Sequence, residues 1–292
     1  MLLKKISTLR SLLMTLAFVG LSGCAGEPGD EPEAAESRVP ADAPGASSEP
    51  PLADWQDWLT GELARAERER PATVAELRAA TPVATRAGHP RFTNEALEQP
   101  GAATVLLGRL SRGTDPSPVR AALAEALPRA GGPYGAALVG LMTLEKDPEV
   151  RVAMVSALRR AAAEPALAGL RAGLDDVDPR VRAAAAEVAS RRPDGATLAD
   201  PLIARLADDS AEVRLVATRS LGALAVEAAF PALQAKLRDM SPETAEVRLH
   251  SLRALARIDA ARAATLPELA ALRDDPDPRV VEAAGRVSTG ER

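Results

Sequence analysis

Asp147-Pro148-Glu149-Val150-Arg151 is one of six copies of a single phrase: a short acidic turn, usually with a proline, then a valine that opens an alanine-rich stretch. The other copies begin at Asp115, Asp178, Asp209, Ser241 and Asp277, and their valines are Val119, Val181, Val213, Val247 and Val280. With Val150 these valines stand 31, 31, 32, 34 and 33 residues apart. A period in this range marks a stack of supersecondary units, none of which buries its apolar faces alone.

The phrase has a mechanical reading. Asp147 suits the cap of a helix, where a carboxylate accepts a free backbone N–H, and Pro148 suits the first helical position, where no N–H is needed. Glu149 places negative charge at the positive end of the helix dipole. Val150 then begins an inward stripe continued by Met154, Ala157 and Leu158, the spacing of one helical face. A second helical segment precedes most phrases: 133–146, 164–174, 198–207, 227–238 and 262–273. The unit is helix, tight acidic turn, helix. High alanine and leucine content and the near absence of strand signals make the expected fold all-α, an α-solenoid of about six such pairs.

The pattern resembles the HEAT repeat, in the short HEAT-like variety known from phycobilisome lyases, over residues 94–288. The resemblance implies a right-handed solenoid. It also implies a ladder in which the turn Asp and the helix Arg bond across neighbouring units. Asp147, Arg151, Asp178, Arg182, Asp209, Arg214 and Arg248 take structural roles on that reading. Val281 replaces the arginine in the last copy, as expected of a terminal repeat. Many proteins with these repeats are not enzymes, so the resemblance transfers no reaction.

Lys4, Lys5 and Arg10 precede an apolar run from Ser11 to Leu21 that is too short to span a bilayer and reads as a secretory signal. It ends in Leu21-Ser22-Gly23-Cys24, which looks like a bacterial lipobox. In such signals residues 1–23 are cleaved and the cysteine is acylated, commonly with palmitate; the alternative is a plain signal peptide with a coincidental cysteine. Several acyl chains hold a protein durably, since each buried CH₂ contributes roughly 0.8 kcal/mol. Ala25 rather than Asp after the cysteine favours, by resemblance, the outer membrane facing the periplasm. Residues 24–53, rich in Pro, Glu, Ala, Gly and Ser, read as a tether, 54–93 as a helical N-terminal cap and 289–292 as a short tail.

Cleavage would leave 33 basic against 41 acidic residues, a net of −8. An acidic chain with 2% aromatic residues lacks the phosphate-neutralising stripe and the stacking platforms of a nucleic-acid binder. Cys24 is the sole cysteine, so thiol chemistry ends with its acylation. His250 lacks the adjacent glutamate with which HEAT-like hydroxylases hold di-iron, and reads as a helix-boundary residue; His89 precedes Pro90 without a visible partner. The acidic pairs at 175–176, 208–209 and 274–275 sit at repeat turns, where capping accounts for them. No cofactor, metal site or catalytic group is expected.

Positions two, six and nine after each valine fall at about 200°, 240° and 180° on a helix, opposite the buried stripe. The sixth positions read Glu125, Ser156, Glu187, Arg219, Arg253 and Arg286, acidic or neutral in the first half and basic in the second. The second positions include the apolar Val152, Leu215 and Leu249, and Arg159 stands ninth after Val150. Arginines beside apolar residues are good protein-binding material. The plainer alternative is a solvated face carrying inter-repeat ion pairs. A second candidate is the stripe of Leu52, Trp55, Trp58, Leu59 and Leu63, either a docking helix or a cap over the first repeat.

The function expected is a lipid-anchored scaffold or adaptor that binds a protein of unknown identity in the bacterial cell envelope. The alternatives are an accessory or chaperone-like subunit of one dedicated enzyme and, from another class, a lyase-like or hydrolytic enzyme.

Overall fold

The computed structural model describes residues 49–84, 90–241 and 244–290. Cys24, the signal segment, most of the tether, His89 and the end of the tail lie outside them.

Helices α1 (Trp55–Glu69) and α2 (Pro71–Ala79) come first, followed by a two-residue antiparallel pair of β1 (Val83–Ala84) and β2 (Pro90–Arg91). That pair is the small exception to the all-α expectation. After α3 (Asn94–Leu97) the chain runs as helix pairs: α4 (Ala102–Arg112) with α5 (Ser117–Ala130), α6 (Gly135–Met142) with α7 (Pro148–Ala157), and α8 (Ala163–Leu174) with α9 (Pro179–Ser190). Then follow α10 (Ala199–Ala204) with α11 (Ala211–Ala223), and α12 (Phe230–Lys236) with α13 (Ala245–Ile258). The last pair sets α14 (Ala260–Ala264) and α15 (Glu268–Ala271) against α16 (Pro278–Thr289). The fold is an all-α solenoid.

The second helices form one layer, α5 on α7, α7 on α9, α9 on α11, α11 on α13 and α13 on α16. The first helices cover it, and a continuous apolar core runs between the layers from Leu59 to Val287. Val150, Val181, Val213 and Val280 are fully buried in it, as the inward stripe requires. Small residues permit close approach: a Cβ on Gly222 of α11 would strike Ala254 of α13, and the Ser220 hydroxyl donates to the Ala186 carbonyl at 2.8 Å. The expected single helix at 262–273 is interrupted, because Pro267 offers no N–H to continue it.

The turns behave as local chemistry dictates. Asp147, Asp178 and Asp277 accept the N–H of the residue two positions on, each at 2.9 Å, with proline at the first helical position. Helix α11 ends differently: Ala225 takes φ 50°, and the Val226 N–H returns to the Leu221 carbonyl at 3.1 Å. That is a Schellman closure built on a residue with a Cβ, where glycine is usual.

The ladder is real in geometry but uses other acids than those read from the phrase. Arg120 pairs bidentately with Glu145, Arg151 with Asp176, Arg182 with Asp208 and Arg248 with Asp275, at 2.7–2.9 Å. Asp147 and Asp178 are occupied in capping. Asp209 is exposed, and its neighbour Asp208 makes both the rung and the bond to the Ser210 N–H at 3.0 Å. Each rung acid also accepts the N–H two residues on, so it shapes its own turn while gripping the preceding helix. The arginine's remaining nitrogen, Nη1, reaches back to carbonyls of its own turn, as from Arg151 to Glu145 and Lys146.

One rung differs. Arg214 donates to the Asp208 and Asp209 carbonyls but, among the described residues, pairs with no carboxylate. Its counterpart by position, Asp239, is bonded instead to Ser241. The extra residues of the longest repeat, between Val213 and Val247, lie in this turn.

The N-terminal segment packs on the first pairs. Trp55 lies against Gly140 of α6, where a Cβ would collide with the indole, and Leu63 lies against Gly108 of α4. Trp55 and Trp58 are half-buried and packed against the core. Glu49, assigned from the sequence to the tether, rests on the solenoid: its carboxylate accepts the Ala136 N–H at 2.9 Å at the start of α6.

Candidate functional site: an arginine groove between α13 and α16

The six sixth-position residues, Glu125 through Arg286, are all exposed on the second-helix layer. The second positions are less available. Leu249 is 3% exposed, Val152 is half-buried against the core, and Leu215 is half-buried. Leu249 is therefore packing surface rather than part of the ridge. What remains outside is charge: Glu187, bonded to Arg191, then Arg219 and Arg253; Arg159 is exposed at the end of α7.

At the basic end this face deepens into a groove of about 490 Å³ between α13 and α16. Arg253 and Arg257 stand one helical turn apart on the α13 wall, and Arg279, Glu282 and Arg286 form the α16 wall. Ala256, Ala283 and Val287 supply the floor. The small alanines leave the concavity, whereas α11 and α13 meet directly at Gly222 and Ala254.

The walls are not electrostatically equal. Arg279 is held by Asp277 and, across to α13, by Glu246 at 2.7 Å; Arg286 is held by Glu282 at 2.5 Å. Arg253 and Arg257 make no ion pair among the described residues. Behind them His250 lies within α13, not at its boundary, with Nε2 3.7 Å from Glu246. Burial, then the Arg253 and Arg219 guanidinium groups, hold His250 below the ordinary histidine value against the pull of Glu246, so it is neutral near pH 7. The groove thus offers guanidinium groups over an alkyl floor, and its one lining carboxylate is already bonded. Unpaired guanidinium groups of this kind suit an anion.

Sequence reasoning found Arg219, Arg253 and the row they belong to. It missed Arg257, four residues after Arg253 on the same face, and Arg279, hidden within the capping phrase of the last copy. It also missed Arg192, which bonds the carbonyls of Leu158, Arg159 and Ala161 at 2.8–3.1 Å and clamps the far edge of the stack.

Among the described residues no group of three or more His, Cys, Asp or Glu is placed to hold a metal, and no helix is long and apolar enough to cross a membrane.

No curated protein matches the chain. A solved structure described as an engineered protein of the Northeast Structural Genomics Consortium is similar at 23% identity, with a TM-score of 0.42 over 75% of this chain and 97% of that one. Residues 199–288, which hold both walls of the groove, match the family model for HEAT repeats.

Proposed function

We propose that this protein is a lipid-anchored scaffold or adaptor of the bacterial cell envelope, which holds a protein partner on the exposed face of its second-helix layer. The observation that carries the reading is the groove: an exposed, cation-walled concavity on a face that the repeat presents outward at every turn. HEAT repeats serve as protein-interaction scaffolds, and the groove contains binding groups without an unengaged acid or base. The anchor rests on the lipobox ending in Cys24, and the acidic sequence between Cys24 and the solenoid serves as the tether. On this reading the protein is not an enzyme.

Crosslinking and pull-down from membranes, comparing wild type with Arg219→Glu/Arg253→Glu, tests the binding role. A defined envelope protein lost from the variant, with helicity unchanged by circular dichroism, is the expected result. An unchanged partner set refutes the face. Cys24→Ala should release the protein from membranes, and retention after a high-salt wash would refute the anchor.

A further inference from the structure

Resting on that reading, we infer that the groove between α13 and α16 receives an acidic peptide segment of the partner, with carboxylates about one helical turn apart flanking a small apolar side chain. Arg253 and Arg257 are one turn apart on α13, exposed, and free of ion pairs among the described residues. Like charges at that spacing repel, and an anion lying over the pair relieves that repulsion. Guanidinium is the cation whose planar fork grips a carboxylate with two parallel hydrogen bonds. Across the groove, the Arg279 and Arg286 charges are already offset by Asp277, Glu246 and Glu282. The unmet positive charge therefore lies along one wall and sets the direction in which an acidic segment runs. The floor of Ala256, Ala283 and Val287 offers apolar contact between the carboxylates, which a free inorganic anion would not use.

Charge elsewhere favours a short segment over an extended polyanion. The same face carries Glu125 and Glu187 in its first half, and the chain as a whole is at −5. A nucleic acid or an anionic membrane covering the face would meet those acids, whereas a peptide confined to the groove does not.

The test uses the full-length chain in detergent and fluorescence anisotropy. One probe is a labelled short peptide of Glu, Ala and Leu with glutamates one turn apart; the other is its Gln-for-Glu analogue. The acidic probe should bind at least about tenfold more tightly than the analogue, and less tightly as salt rises. Arg253→Gln/Arg257→Gln should abolish that advantage, and Arg112→Gln/Arg171→Gln, which alters exposed arginines of α4 and α8 outside the groove, should retain it. Circular dichroism checks that both variants fold. Equal binding of the two probes overturns the inference, as does an equal loss in both variants. Preferential capture by phosphatidylglycerol vesicles overturns it in favour of a lipid surface, and self-association abolished by the groove variant overturns it in favour of a second copy. If the crosslinked partner persists in the groove variant, the scaffold reading stands and the acidic-segment inference falls. If no partner crosslinks to wild type, the scaffold reading itself falls.

Discussion

Arg248 is the most heavily bonded group in the ladder, and its removal offers a quantitative test of what the ladder contributes. The side chains of Arg248 and Asp275 are both 0% exposed and bonded through two contacts of 2.7 and 2.9 Å. Nη1 of Arg248 also donates to the carbonyls of Asp239 and Ser241 and to the Thr244 hydroxyl. Arg248→Ala leaves Asp275 buried, with the Asp277 N–H as its remaining donor. Breaking a buried pair from one side costs about 3–5 kcal/mol, much of it the uncompensated charge. Arg214→Ala is the internal control: that arginine reaches two backbone carbonyls and no carboxylate, so its loss should cost about 1–2 kcal/mol. Guanidinium unfolding followed by circular dichroism measures both, and hydrogen exchange should localise the Arg248→Ala loss to α13–α16. The double variant Arg248→Met/Asp275→Leu should recover most of the stability, because no charge is then stranded. The reasoning is refuted if the two alanine variants agree within about 0.5 kcal/mol, or if the double variant is no better than Arg248→Ala.

Acid should weaken the stack with a defined sign. Burial alone would raise the Glu145 and Asp208 carboxyls, but Arg120 and Arg182 with backbone N–H donors hold both below the usual range; their contribution is present above the unfolded value and is lost as pH falls through the folded one. Urea unfolding should therefore show a shallow decline from pH 7 to 5, from the depressed His250, and a steep one below about pH 4; Glu145→Gln should flatten the steep limb, and an unchanged limb would refute the assignment. Ala225→Gly should raise stability by about 1 kcal/mol by relieving the left-handed backbone at the end of α11, and any loss on thermal unfolding would count against the Schellman closure. Gly140→Val should push Trp55 off α6, red-shift tryptophan emission and cost about 1–3 kcal/mol; unchanged emission would refute that contact.

The helix starts and the inward valines could be read from the chain because caps and stripes are local: Asp147 meets a donor two residues away, and Val150 obeys a single helical period. The rungs could not be assigned the same way, because a rung depends on where one turn lies against the next helix. The signal was nonetheless written in the turns: an acid recurs one or two residues ahead of the capping phrase, as Glu145, Asp176, Asp208, Asp239 and Asp275. Capping draws attention to the wrong carboxylate of each pair. The outward row of the second helices was legible from angle alone, and its sixth positions are exposed. Angle does not tell how far a neighbouring helix encroaches, so Leu249 was read as outward though the packing around α13 buries it. The Trp55 and Trp58 stripe was ambiguous for the same reason: a cap and a docking helix share one amphipathic pattern, and the approach of Trp55 to Gly140 could not be read from it.

The rungs join residues 25 to 27 positions apart. Chains whose native contacts are this local fold quickly, since little loop entropy is lost before each contact forms. Assembly can then start at any helix pair and spread outward one rung at a time. A nascent chain on this plan need not wait for its C-terminal helices before its first pairs are secured, and the acid of each new turn finds its arginine already in place on the helix before it.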